Sequence, residues 1–226
     1  MPSPFKLSCV LFDLDGTLVD TSADLIAALN TALQQYQFAS VAAEGVKPYI
    51  SYGAVAMIKH SVAASVSDEL QAEILKAFLH YYQHNIATHS VLFPGMVETL
   101  NAIEALGLKW GVITNKRQRF TDPLMAALNL THRAACIISG DTTPYSKPHP
   151  QPMLAGCLKA GVTAKDCVFI GDASHDIAAG RAADMKTLVA TYGFLKPDDQ
   201  PEHWGADHLV ASPSHINDWI KAAICH

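Results

Sequence analysis

Apolar residues fall into two patterns along this chain. Short continuous blocks alternate with stretches of helical spacing. The first block, Cys9-Val10-Leu11-Phe12, stops at Asp13-Leu14-Asp15-Gly16-Thr17. A brief apolar run closed by a turn signal predicts a buried strand. The pattern recurs at Trp110 to Thr114, Ala135 to Ser139, Cys167 to Gly171 and Thr187 to Ala190. Helical spacing fills the gaps at Val97 to Leu106, Thr121 to Leu128, Pro150 to Ala160 and Asp176 to Ala183. Strands that are apolar throughout and alternate with helices predict an α/β fold. Its parallel sheet, Rossmann-like, is covered on both faces.

The stretch from Thr21 to Ala87 breaks this alternation and reads as helical and strand-poor. Leu25, Leu29 and Leu33 stand four residues apart, and Thr21 with Asp24 resembles a capping box. Glu69 to Tyr82 puts Leu70, Ile74, Ala77, Phe78 and Tyr81 on one helix face. The expected organisation is a core of residues 1–20 plus 88–226, with an inserted helical cap domain over 21–87. A tail rich in Pro, Asp and His follows Gly193 and leads to a last short strand and helix.

Composition narrows the class. The chain has 226 residues, half of them hydrophobic, and a formal net charge of −5. It is long enough for a sizeable core and too apolar to be disordered. No run of Lys and Arg suggests a nucleic-acid partner. The start, Met1-Pro2-Ser3-Pro4-Phe5-Lys6, has no long apolar stretch or cleavage site, and no run is long enough to span a bilayer. The five cysteines, Cys9, Cys136, Cys157, Cys167 and Cys225, are scattered and form no C-x-x-C pair. Buried reduced thiols in a cytoplasmic protein, monomeric or homodimeric, are the expectation.

Candidate chemistry lies where strands end. The first strand ends in Asp13, the second in Thr114-Asn115, and the fourth in Gly171-Asp172. In an open parallel sheet these ends share one edge, where ligands bind. Lys147 sits in a polar loop facing the same edge. The set suits hydrolysis of a phosphate ester. Asp13 is the candidate nucleophile, forming an aspartyl-phosphate. Mg²⁺ held by Asp13 and Asp172 would screen its approach to an anionic phosphate. Lys147 adds a point charge, and the Thr114 hydroxyl holds a non-bridging oxygen. Asp15 protonates the leaving alkoxide and then deprotonates water. Asp176, four residues beyond Asp172, is expected to accept a hydrogen bond from behind the metal site or from Lys147. Ser174-His175-Asp176 is not a triad, because successive helix residues do not face one another. His80 and His84 share a helix face but lack a third ligand.

The motifs Asp13-x-Asp15-Gly16-Thr17, Thr114-Asn115, Lys147-Pro148 and Gly171-Asp172-x-x-x-Asp176 resemble, in order and spacing, those of the haloacid dehalogenase superfamily of aspartate-based phosphotransferases. The resemblance covers the whole α/β domain. It implies a mobile cap inserted after the first motif. It also implies Mg²⁺ bound by Asp13, by Asp15 through its main-chain carbonyl, and by Asp172. Thr17, Asn115, Ser51 and Gly53 are the expected substrate contacts. Tyr49, Tyr52 and Lys59 are either substrate readers or packing and surface residues. The second aspartate, Asp15, favours phosphate over halide chemistry, because an alkoxide leaving group needs a proton.

Within the superfamily the chain is similar to phosphoglycolate phosphatases and, more closely, to N-acetylmuramic acid 6-phosphate phosphatases. The likeness rests on Ser51-Tyr52-Gly53-Ala54, on His89 through Gly95, on Trp110 through Lys116, and on Tyr192-Gly193-Phe194 with His203 through Asp207. The chain departs from the common pattern at Ala173, at Asp184, where a helix-ending Gly is usual, and at Val55, where relatives carry Arg. The implied substrate is N-acetylmuramic acid 6-phosphate, ahead of 2-phosphoglycolate. A phosphomutase of the same fold and a non-enzymatic binding protein are the alternatives.

Overall fold

The computed structural model describes residues 6–224. The expectations for Met1–Phe5 and for the Cys225 thiol lie outside these residues. The chain runs through β1 (Cys9–Phe12) and β2 (Val19–Asp20). It then forms α1 (Ser22–Gln35), α2 (Ala43–Val46), a 3-10 turn over Lys47–Tyr52, α3 (Ala54–Ser61) and α4 (Asp68–His84). It returns by β3 (Val91–Leu92) to α5 (Met96–Ala105), β4 (Lys109–Ile113), α6 (Gln118–Ala127) and β5 (Cys136–Ile138). The last elements are α7 (Gln151–Ala160), β6 (Cys167–Gly171), α8 (Ser174–Ala182), β7 (Lys186–Ala190), β8 (His208–Val210) and α9 (Pro213–Ile224).

Six strands form one parallel sheet in the order β5-β4-β1-β6-β7-β8. The chain builds outward from β1 in one direction, through β4 to β5, and then in the other, through β6 to β8. The order therefore reverses at β1, the position where open α/β sheets bind ligands. Phe12 pairs with Val112 on one side and Ile170 on the other, so β1, β4 and β6 end level with one another. Side chains alternate between two apolar clusters. Val10, Phe12, Val112 and Ile170 face one, and Cys9, Leu11, Ile113 and Phe169 face the other. Burial on both faces is why these strands read as continuous apolar runs.

Helices α1 to α4 occupy the sequence between β2 and β3, which pair antiparallel as a two-residue ribbon. The sequence pattern does not show this ribbon, because two residues carry no periodicity. Leu25, Leu29 and Leu33 are buried on α1 as expected. On α4 the deepest stripe is Ile74, Phe78 and Tyr82, so Tyr82 replaces Tyr81 at the centre of the face. The capping box at Thr21 and Asp24 does not form. The Thr21 hydroxyl donates to Asp15 Oδ1 at 2.7 Å instead. Asp24, 2% exposed, accepts from the main-chain N–H groups of His89 and Ser90 and from the Ser90 hydroxyl. Three donors arriving with the returning chain hold this carboxylate better than one cap amide could.

The four described cysteines are buried free thiols, with Cys157 and Cys167 sulfurs 3.9 Å apart. Asp184 takes the left-handed conformation (φ 62°) that its usual glycine would supply. Ala173, at the N-cap of α8, has no side-chain acceptor, and its N–H donates to Asp176 Oδ2 at 3.1 Å. Among the described residues, no helix is long and apolar enough to cross a membrane.

Candidate active site

Asp13 is the first residue past β1, and its N–H still donates to Ile170 of β6 at 2.8 Å. That bond fixes the main chain, and the carboxylate stands at the sheet edge. Lys147 meets it: Nζ lies 2.7 Å from Asp13 Oδ1, 2.7 Å from Asp176 Oδ1 and 2.8 Å from the Ile113 carbonyl oxygen. Three partners match the three donors of an ammonium. Asn115 places the lysine from behind. Its Nδ2 donates to the Lys147 carbonyl, and its Oδ1 accepts from the Lys147 N–H. Asn115 thus links the end of β4 to the Lys147 loop, besides lining the cavity.

Asp172 follows β6 and is 1% exposed. Its Oδ1 accepts from the Thr17 hydroxyl at 3.3 Å, and its Oδ2 from the Phe194 N–H and the Ser51 hydroxyl, both at 2.8 Å. Thr17, expected against substrate, lies beneath Asp172, fully buried and outside the cavity lining. Ser51 reaches across from the 3-10 turn between α2 and α3. Gly16 makes this crowding feasible. Its φ is +86°, and a Cβ there would collide with the Asp172 carboxylate and the Phe194 ring.

Asp13, Asp172 and Asp176 offer carboxylate oxygens within 4.8 Å of one another, all buried. Among the described residues the Lys147 ammonium is the one permanent cation in contact with them, which leaves the three carboxylates short of two positive charges. Burial pushes Asp13 up to about 7; Lys147 opposes this and Asp176 adds to it. Burial also drives Asp172 well above the carboxylate range, with Asp13 and Asp176 reinforcing it. Lys147 responds in kind. Burial lowers it, but Asp13 and Asp176 outweigh burial and hold it above its ordinary value. Hard oxygen donors with uncompensated negative charge are the chemistry a divalent cation fits. Asp176 belongs to the cluster but is committed to Lys147.

Asp15 is not part of that cluster. Its carboxylate turns to Lys116, whose Nζ lies 3.0 Å from Oδ1 and 3.1 Å from Oδ2. With Thr21 also on Oδ1, this leaves the main-chain carbonyl as Asp15's means of touching a cation. The Lys116 side chain is 7% exposed, and its ammonium sits 4.6 Å from the ring centre of Tyr82 on α4. Burial lowers the Lys116 pKa, but Asp15 outweighs burial and raises it. Sequence reasoning missed Lys116 as a site residue. A cation directly after Thr114-Asn115, at a strand end, was the available signal. The Thr114 hydroxyl accepts from the Lys116 N–H at 3.1 Å and also lines the cavity.

A cavity of about 710 Å³ opens onto Asp13 and Asp15. The stretch from the 3-10 turn through α3 to α4 contributes Ser51, Gly53, Met57, Leu75, Leu79 and Tyr82. Gly53 has φ +86° and open space beside it. Val55 lines the cavity as well, half exposed. Tyr52 is fixed by the chain after β7. Lys196 Nζ lies 3.6 Å from its ring centre, and its hydroxyl donates to Asp199 at 3.3 Å. His175 meets the Tyr52 ring edge-on, and its Nε2 lies 3.7 Å from Asp176 Oδ1. His84 Nδ1 donates to the His80 carbonyl oxygen, 2.8 Å away, and the pair joins no third ligand among the described residues.

A six-stranded parallel sheet with a buried aspartate at its switch point, a lysine on that aspartate and an acid cluster beside it is the architecture of a hydrolase acting on phosphate monoesters. The chain belongs to the haloacid dehalogenase-like hydrolase family, whose model matches residues 10–190. It is 38% identical over 220 residues to the N-acetylmuramic acid 6-phosphate phosphatase of Pseudomonas aeruginosa, covering 97% of each chain. It is 37% identical over 215 residues to a phosphoglycolate phosphatase of Xanthomonas campestris, covering 95% of this chain and 96% of that one. Among solved structures it is similar to a predicted phosphoglycolate phosphatase from Haemophilus somnus 129pt. The TM-score is 0.84 at 28% identity, over 97% of this chain and all of the other.

Proposed function

We propose that the protein is a Mg²⁺-dependent phosphomonoesterase that works through a phosphoryl-Asp13 intermediate. We further propose that N-acetylmuramic acid 6-phosphate is its substrate, ahead of 2-phosphoglycolate. The observation that carries the reaction is the buried Asp13–Lys147 contact at 2.7 Å. Lys147 orients Asp13 by one oxygen and leaves the other to attack phosphorus. The ester P–O bond breaks, and Asp15, acting as general acid, supplies the proton to the departing alkoxide. Asp15, now a carboxylate, takes a proton from water. That water attacks the phosphoryl group, phosphate leaves, and Asp13 is restored. Lys147 and the Thr114 hydroxyl stabilise the charge on the non-bridging oxygens. Bound Mg²⁺, held by Asp13, Asp172 and the Asp15 carbonyl, would offset repulsion between carboxylate and phosphate. Asp176 keeps Lys147 in line.

The cavity supports the larger substrate. Its volume is in the range that encloses a drug-sized ligand, and a two-carbon ester would leave much of it to water. Its cap side offers apolar surface for a sugar ring and acyl group. The 38% identity to the N-acetylmuramic acid 6-phosphate phosphatase of Pseudomonas aeruginosa, over 97% of each chain, supports the same reading. The test is phosphate release from both esters side by side, with Asp13→Asn as the blank. Release from the muramic acid ester exceeds the other, and the blank is inactive. Equal release by wild type and Asp13→Asn contradicts the nucleophile assignment.

A further inference from the structure

The cavity wall holds two guanidinium groups with no acidic partner. Arg117 and Arg119 flank Gln118 at the start of α6, and both line the cavity that contains Asp13. Among the described residues neither makes an ion pair or a side-chain hydrogen bond; the ion pairs of this region involve Lys116 and Lys147. The nearby acids are committed elsewhere. Asp141 accepts from the Gln118 N–H at 2.7 Å, and Asp122 from the Gln118 side chain at 3.1 Å.

Arg119 is braced. Its guanidinium carbon lies 4.5 Å from the ring centre of Phe120, which is 4% exposed and packs on the cap residue Tyr82 at 5.5 Å. Stacking of this kind restrains the side chain while leaving its N–H fork free. Of the four cations that line the wall, Lys116 and Lys147 contact carboxylates, whereas the exposed Arg117 and Arg119 contact none among the described residues. A phosphate ester seated at Asp13 therefore meets uncompensated positive charge further along the wall. The planar fork of arginine matches a carboxylate in geometry as well as charge.

We infer that Arg117 and Arg119 form a carboxylate subsite, so the substrate carries a carboxylate in addition to its phosphate. This rests on the phosphomonoesterase reading and adds the residues that set specificity. Both esters considered above meet the requirement.

The test uses matched pairs in which one ester lacks the carboxylate. These are N-acetylmuramic acid 6-phosphate against N-acetylglucosamine 6-phosphate, and 2-phosphoglycolate against 2-hydroxyethyl phosphate. Wild type prefers the acid in at least one pair by about tenfold or more in kcat/KM, the scale of a charge-assisted hydrogen bond. Arg117→Ala/Arg119→Ala brings that ratio toward one, chiefly by raising KM for the acid, and Arg117→Lys/Arg119→Lys restores part of it. A thermal melt confirms that the double variant is folded. The inference is overturned if wild type shows no preference in either pair, if the ratio survives in the alanine variant, or if a sugar bisphosphate is preferred to every acid. p-Nitrophenyl phosphate separates the two failures. Its hydrolysis without acid preference removes the subsite alone, whereas no release from any ester removes the phosphomonoesterase reading as well.

Discussion

The Lys116 ammonium grips both oxygens of Asp15, at 3.0 and 3.1 Å, under the ring of Tyr82. The lysine comes from the β4–α6 junction and the tyrosine from α4, so the orientation of Asp15 depends on both segments. Lys116→Met leaves the Asp15 carboxylate without this brace. The expected result is a fall in kcat of about 10- to 100-fold with a smaller change in KM. Lys116→Arg recovers part of kcat. Steady-state kinetics of the two variants checks this, and an unchanged kcat in Lys116→Met contradicts it.

Lys147 is the one cation among three buried carboxylates. Lys147→Met leaves Asp13, Asp172 and Asp176 without it. The variant is expected to lose stability by about 3–5 kcal/mol, the usual cost of breaking a buried pair from one side. Added Mg²⁺ raises its melting temperature more than that of wild type, because the charge deficit is larger. Thermal melts with and without Mg²⁺ measure both effects. A metal-free melting temperature equal to wild type refutes the charge argument.

The carboxylate shifts give the pH dependence a sign. Burial raises Asp13 in the folded protein from 3.8 to about 7. The folded protein thus binds more protons than the unfolded chain between these values. Stability of the metal-free form is greatest at the acid end of that window and is lost as pH rises through about 7. Asp172, raised by burial, acts in the same direction. The metal-free melting temperature therefore falls between pH 5.5 and pH 7.5, on the order of 5 °C. Asp13→Asn flattens the slope, and Mg²⁺ stabilises more at pH 7.5 than at pH 5.5. A melting temperature that rises over this window shows that the acids are not held protonated.

Gly16 combines a left-handed φ with contact against Asp172 and Phe194. Gly16→Ala is strained in backbone and in packing. A loss of about 2 kcal/mol or more is expected, with weaker Mg²⁺ affinity because Asp172 must shift. Denaturant unfolding and metal titration test it, and wild-type values in both refute it.

Much of this was legible in the sequence, for a physical reason. Strands buried on both faces leave continuous apolar runs, and a parallel sheet gathers their ends. Asp13, Thr114 and Asp172 were therefore placed together from chain order alone. Contacts that depend on which loop arrives beside which were not legible. Thr21 reads as a helix cap until Asp15 takes its hydroxyl. Thr17 reads as a substrate contact until Asp172 lies above it. Nothing in the chain order pairs Lys116 with Asp15 under the Tyr82 ring of α4. The β2–β3 ribbon is too short for any pattern.

The central claim is a covalent phosphoryl-Asp13 intermediate. Its most direct measurement is peptide mass spectrometry of Asp15→Asn after brief incubation with Mg²⁺ and p-nitrophenyl phosphate, whose phenolate leaves without a proton from Asp15. Without its base for water, this variant hydrolyses the intermediate slowly. The account predicts one added phosphoryl group on the peptide containing Asp13, abolished by the further change Asp13→Asn. Phosphate release with no adduct on that peptide, at a rate indifferent to Asp13→Asn, would contradict it.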